Sequence, residues 1–218
     1  MLIVGAGGLA AQLYDDLINI NAQHIVFWSE VDTKYHFISE RYPILKTDEE
    51  VIEYFNTISR SFILCISGTE NRIMLAERFK KLGGNITSFI SAKSTVNAYA
   101  TIGKGSLVMS RVEIEACVTL GEQCLVNKTA NIGHGCIIGA NSEISPGVIL
   151  TGEVQLGENC FVGARAVVLP KLKIGNNVVI AAGSIVKKDV PDNAVVAGEF
   201  ATVKYFKKNE SQHLSNSI

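Results

Sequence analysis

Histidine moves protons near neutral pH more readily than any other side chain, and this chain of 218 residues has four: His24, His36, His134 and His213. His134 stands apart because small residues flank it at a fixed interval. Ala116 lies 18 residues before it and Gly152 lies 18 after. If 18 residues make one turn of a regular scaffold, both sit beside the imidazole and leave room for a thioester or an amino group. A histidine so placed can take the proton from an amine or hydroxyl as that group attacks a carbonyl. Asn127, seven residues earlier, can hydrogen-bond a substrate or an oxyanion, and turn asparagines of the same kind serve structure alone. A second constellation opens the chain. Gly5-x-Gly7-x-x-Ala10 follows the apolar run Leu2–Val4 and precedes a stretch of helical spacing. Such a turn lets an anion approach the backbone and a helix N-terminus closely. Glu30 follows the next apolar run, where an acid that binds a ribose hydroxyl often stands. A tight strand–helix turn with no ligand has the same pattern.

The scaffold that must hold His134 is legible between Ile90 and Pro191. In steps of six from Ile90 to Val186 every opening residue is aliphatic, giving 17 hexads without an insertion. The fifth place carries Ser, Ala, Cys or Val, with Leu172 the largest. The second place favours Gly, as at Gly103, Gly121, Gly133, Gly139, Gly157, Gly163 and Gly175. Period six does not match the helical 3.6, so the openers would spiral round a helix instead of lining one face. The array predicts short strands joined by turns: openers point inward, the small fifth residue fits where backbones crowd, and Gly or Asn relieves the turns. His134 takes the third place of its hexad, a turn position, and should point outward.

Before the array, apolar runs alternate with helical stretches. Leu2–Val4, Ile25–Trp28, Ser61–Ile66 and Ile86–Ile90 predict strands. Ala11–Ile20, with Leu13, Leu17 and Ile20 on one face, predicts a helix. So do the stretch after Thr47 and the stretch Glu70–Leu82, stopped by Gly83-Gly84. This is a small parallel α/β domain. The expected division is 1–88 for that domain, 89–201 for the solenoid and 202–218 for a polar tail, with Asn209–Ile218 frayed. The α/β part lacks the second half of a dinucleotide fold, which counts against NAD.

Composition narrows the partners. Net charge is −1 and 19% of residues are charged, which gives no footprint for nucleic acid or an anionic membrane. No apolar run approaches the length of a membrane span. The start, Met1–Ala11, has no basic stretch and reads as strand and turn, not as a signal peptide. Of five cysteines, Cys124, Cys136 and Cys160 hold fifth places, Cys65 lies in an apolar run and Cys117 at a turn, with no CxxC pair. Reduced thiols in a cytoplasmic protein are expected. One histidine per array leaves no ligand set for zinc, which in hexad enzymes of the γ-carbonic-anhydrase type needs three converging histidines.

Taken together, three motifs carry a resemblance: Val4-Gly5-Ala6-Gly7-Gly8, Ile66-Ser67-Gly68-Thr69-Glu70-Asn71-Arg72, and the stretch from Asn127 to Gly139. The chain to about Gly198 resembles the hexapeptide-repeat acyltransferases, within them the sialic-acid O-acetyltransferase and bacillosamine N-acetyltransferase family. The resemblance implies a left-handed parallel β-helix with three hexads per coil and a homotrimer. It implies acetyl-CoA as co-substrate, lying along the β-helix between subunits, and a nucleotide-linked amino sugar as acceptor in surface-glycan synthesis. His134 would be the base, assisted by Asn127. Gly5, Gly7, Gly8, Leu9, Ser29, Glu30, Ser67, Gly68 and Arg72 would hold the sugar nucleotide. Glu143, Gly152, Ala164 and Ala182 would meet the coenzyme, with Lys171, Lys173, Lys187 and Lys188 available to its phosphates. The chain departs from the family at Leu9, where a histidine is usual, at Ser29-Glu30, where paired aspartates are common, and at Gly135, where a carboxylate follows the base. O-acetylation of a free sugar and a non-catalytic sugar-nucleotide-binding protein remain alternatives.

Overall fold

The computed structural model describes residues 1–18 and 25–207. Ile20, His24, His213 and Asn209–Ile218, all invoked above, lie outside the described residues.

The first part folds as a parallel sheet flanked by helices. Its elements are β1 (Leu2–Val4), α1 (Gly8–Leu17), β2 (Val26–Trp28), α2 (His36–Ser39), β3 (Ile44–Leu45), α3 (Asp48–Thr57), β4 (Ser61–Leu64), α4 (Thr69–Lys81) and β5 (Asn85–Ile86). Strand order is β3-β2-β1-β4-β5, every pair parallel. Alternation along the strands sends Ile3, Phe27 and Ile63 to the α1 side, and Leu2, Val4, Trp28, Phe62 and Leu64 to the side of α3 and α4. Thr47 starts α3 with a reciprocal cap, its hydroxyl accepting from Glu50 N–H while the Glu50 carboxylate accepts from Thr47 N–H. The elements α2 and β3 are not legible in the sequence because four and two residues are too short to show a period.

The second part is a triangular prism. Each hexad contributes one two-residue strand, its second residue the opener, from β6 (Phe89–Ile90) at six-residue steps to β22 (Ile185–Val186). Successive coils pair in parallel 18 residues apart, as Glu113↔Asn131↔Ile149. Three sheets result. Face 1 holds β6, β9, β12, β15, β18 and β21; face 2 holds β7, β10, β13, β16, β19 and β22; face 3 holds β8, β11, β14, β17 and β20. This is the left-handed parallel β-helix architecture. Openers and fifth-place residues from Val108 to Val190 fill one continuous core. At the first coil Ile90 is exposed, because nothing stacks beneath it.

Glycine has a different job from the one expected. The turns need positive φ at the fourth place of every hexad from Gly105 to Gly183, and ten of those fourteen residues are not glycine, Arg111, Thr129 and Asn177 among them. The second-place glycines are there for closeness between coils: a Cβ on Gly139 would lie 2.4 Å from the Gly157 carbonyl carbon, and one on Gly163 would lie 2.5 Å from Ala182 N. The coils therefore crowd at the second place, while the small fifth residue faces the core.

At the C-terminal end β23 (Ala194–Ala197) continues face 1, and β24 (Thr202–Phe206) pairs antiparallel with it. The first part of the segment expected to be a polar tail is thus an edge strand. Its Thr202, Val203, Tyr205 and Phe206 are residue types that favour strands, and it covers the open edge of β23.

The α/β domain sits on face 1. Phe89, Leu107 and Leu125, the outward residues of that face, join Met109 in one core with Ala10, Leu13 and Leu17 of α1. Polar contacts reinforce the seam: Ser91 Oγ donates to the buried Asp16 carboxylate at 2.8 Å, and Arg72 donates to the Gln123 carbonyl. No described helix is long and apolar enough to cross a membrane.

Candidate active site

Two places gather the residues that the sequence offered for chemistry, one in each part of the chain. The first is a cavity of about 450 Å³ at the C-terminal edge of the α/β sheet, where parallel sheets place ligands. The β1–α1 turn (Gly5 to Leu9), Ser29 and Glu30 after β2, and Ser67 after β4 all line it. Gly5 has φ +109° and a Cβ there would lie 2.5 Å from the Cys65 carbonyl oxygen, so the fold itself requires this glycine. Gly7 differs. A Cβ on it would meet nothing within 4 Å, and its φ of −93° is open to any residue, so packing does not require glycine there.

Sequence reasoning missed the wall opposite. Asn71, Met74, Leu75 and Arg78 of α4 line the cavity at helical spacing, a signal masked by the apolar residues that the same helix buries. Arg78 lies 5.0 Å over the Trp28 ring and pairs with Glu30 at 2.6 Å and Asp48 at 2.8 Å. Those carboxylates, Glu30 first, hold the guanidinium more firmly charged than usual. Glu30 is thus engaged by Arg78 at the mouth of the cavity.

Gly68 and Arg72 were expected in this pocket and stand elsewhere. Arg72 is buried against the prism, its guanidinium donating to the Gln123 carbonyl. Burial pulls its pKa down, and the neighbouring Cys124 and Glu143 oppose that pull. Gly68 N–H donates to Glu143 at 2.9 Å. Glu143, expected at the coenzyme, is therefore a buried residue of the domain seam in this chain. Asn127 is buried too, and its side-chain amide donates to the Ile144 carbonyl of the next coil.

The second place is the corner between faces 2 and 3. His134 follows β13 (Asn131–Ile132), is exposed, and projects over the next coil: a Cβ on Gly152 would lie 2.6 Å from His134 Nε2. Gly152 is therefore the floor under the ring. With Gly135 in place of a carboxylate, Glu115 from the coil below acts on the backbone, accepting from His134 N–H at 2.7 Å and fixing the turn. The ring nitrogens have no partner among the described residues. The same corner carries Lys171, Lys187 and Lys188, all exposed, toward the C-terminal end. Lys188 is three coils above His134, about 14 Å at the strand spacing. A groove of about 590 Å³ runs up face 3 from Ile137, just after His134, to Lys173 and the loop Asp189–Asp192. Ala164 and Ala182 stack one coil apart on another corner, between faces 1 and 2. Among the described residues no three His, Cys, Asp or Glu side chains gather as a metal cluster. Cys65, Cys124, Cys136 and Cys160 are buried free thiols and Cys117 is exposed. Burial, the main influence, raises Cys124 and Cys160 to about 11.

Comparison with known proteins agrees with this two-part geometry. Residues 118–152 and 153–188 match the family Bacterial transferase hexapeptide (six repeats). Over 107 residues the chain is 31% identical to a serine acetyltransferase of Bacillus pumilus (strain SAFR-032), covering 44% of this chain and 49% of that one. The chain spans about half the length of the first curated relatives it matches. Solved structures align over nearly the whole molecule. A histidine-to-asparagine mutant of perosamine N-acetyltransferase from Caulobacter crescentus, in complex with CoA and GDP-perosamine, superposes with a TM-score of 0.83 at 25% identity, over 94% of this chain and 96% of that one. The acetyltransferase domain of PglB from Neisseria gonorrhoeae FA1090, in complex with acetyl coenzyme A, gives 0.81 at 27% identity, over 93% and 97%.

Proposed function

We propose, from a chain that carries the bacterial-transferase hexapeptide repeat and the two-domain fold of solved sugar N-acetyltransferases, that this protein transfers an acetyl group from acetyl-CoA to the amino group of a nucleotide-linked sugar. The observation that carries the reading is the pairing of an open glycine turn at a helix N-terminus with an exposed His134 beside the bare Gly152. The α1 N-terminus takes the diphosphate on backbone N–H groups. His134 removes the proton from the amine as its lone pair attacks the thioester carbonyl. The tetrahedral intermediate collapses to the amide, and the thiolate leaves and takes up a proton. The groove on face 3 and the lysines of the His134 corner suit an extended coenzyme with phosphates at its far end.

The geometry also supports a homotrimer. The cavity rides on face 1, and His134 projects from the corner between the other two faces. A histidine serving a given cavity therefore comes from another copy, and a cyclic threefold arrangement closes with every such pair satisfied. Ala164 and Ala182, on a different corner from His134, would then line the neighbour's side of the coenzyme cleft. A role in surface-glycan synthesis in the cytoplasm is the setting that such an acceptor and coenzyme imply.

Gly7→Val tests the acceptor half. Space around Gly7 is open, so the variant should fold with its Tm unchanged. Its side chain would occupy the room through which a diphosphate reaches the backbone. Nucleotide-sugar KM should rise at least about tenfold, the loss of one or two hydrogen bonds to a charged group, while the KM for acetyl-CoA stays level. Unchanged kinetics in the folded variant would make the turn purely structural.

A further inference from the structure

The N-terminus of α4 points at the same region as that of α1, yet the two are filled differently. Gly68, the N-cap of α4, has φ +90° and no side chain to satisfy the helix. The partner comes from the other domain, 75 residues on: Glu143 Oε2 accepts from Gly68 N–H at 2.9 Å. Glu143 opens β15 (Glu143–Ile144) on face 1 and would face solvent in an isolated prism, but here it is 4% exposed. A buried carboxylate is costly unless paired and hydrogen-bonded. Here the helix N-terminus, the Gly68 N–H and the adjacent Arg72 supply those conditions. The residues on either side of this contact, Ser67 and Asn71, line the cavity of the α/β domain.

We infer that Glu143 is a positioning residue of the sugar-nucleotide site: by capping α4 across the domain boundary it fixes the Ser67–Asn71 wall and reserves the α1 N-terminus for the ligand's diphosphate. With a protein carboxylate already on α4, a second anion there meets like charge, while α1 begins at glycines with no side-chain cap. The prism thereby sets the shape of a pocket that it does not itself line. This inference rests on the reading of the cavity as a sugar-nucleotide site.

Equilibrium binding to the full chain separates the two. UDP, GDP and dTDP are the probes and CoA the control, measured by calorimetry on wild type, Glu143→Gln, Glu143→Asp and Glu143→Ala. Wild type should bind at least one nucleoside diphosphate. Glu143→Ala, which removes the acceptor, and Glu143→Asp, which keeps the charge beside Arg72 but falls short of Gly68, should weaken that binding at least about tenfold. Glu143→Gln retains an acceptor at full reach and should restore most of it. CoA affinity should be the same in all four. If the alanine variant does not fold, the aspartate variant carries the comparison. Nucleoside-diphosphate affinities within twofold of wild type in the folded Asp variant would overturn the positioning role, and so would a loss confined to CoA. Wild type that binds none of the three probes would instead sink the reading of the cavity, and this inference with it.

Discussion

His134→Ala is expected to lose between two and four orders of magnitude in kcat, the usual effect of removing a positioned general base and about 3–5 kcal/mol of barrier. CoA affinity should hold, because the exposed ring contributes nothing to the prism core and its loss leaves the Gly152 floor unchanged. The Tm should hold for the same reason. The magnitude separates a base from a bystander: an ordinary solvated corner histidine would change kcat by less than about threefold, since surface substitutions away from such sites have small effects. His134→Asn is the companion variant. It keeps a polar side chain over Gly152 without a group that takes up a proton in the working range, and it should be as impaired as the alanine form. Near wild-type turnover in both would remove His134 from the chemistry and leave the corner without a base.

Gly139→Ala carries the largest expected loss of stability. A Cβ at this second-place glycine would lie 2.4 Å from backbone of the next coil, at Gly157, and backbone has no rotamer by which to yield. The coils would have to separate locally, at a cost of about 3 kcal/mol, the upper range for overpacking. For a chain of this size that lowers Tm by roughly 6–12 °C. The control is Gly183→Asn. Gly183 has φ +68° and nothing within 4 Å of where a Cβ would stand, and asparagine already occupies the same place at Asn141, Asn159 and Asn177. Its Tm should move by no more than about 2 °C, an effect under 1 kcal/mol. Equal effects from the two substitutions, read by thermal denaturation, would contradict the division of labour between second and fourth places.

That division shows what sequence could and could not reveal. The hexad openers declared a solenoid of short strands, because a buried face seen only by its neighbours must repeat, while the triangular section with three hexads per coil came from the family resemblance. Each opener from Ile90 to Val186 is the second residue of a strand. The reason for the glycines was not legible, since a turn and a close approach both select glycine and only the coil spacing tells them apart. The cavity was half legible. Its floor follows from Gly5 to Leu9 and from Ser67, residues whose types declare a turn. Its far wall, Asn71, Met74, Leu75 and Arg78, mixes polar and apolar residues as any amphipathic helix does, and only the fold sets it across the cavity, with Arg78 over Trp28. Glu143 and Arg72 misled for a related reason. Charged residues read as exposed and available, and only the docking of the α/β domain on face 1 turns them into a buried seam. Residues near His134 by coil arithmetic, Ala116 and Gly152, were legible because the 18-residue repeat converts sequence distance directly into space.

The measurement closest to the central claim is thiol release from acetyl-CoA in the presence of UDP-, GDP- and dTDP-linked amino sugars, with the product weighed by mass spectrometry. The account predicts saturable release with one of these acceptors, a product heavier by one acetyl group on the amine, and no such release with the corresponding hydroxy sugar. Acetylation of the hydroxy sugar alone, or saturable nucleotide-sugar binding with no thiol released from any acceptor, would contradict it.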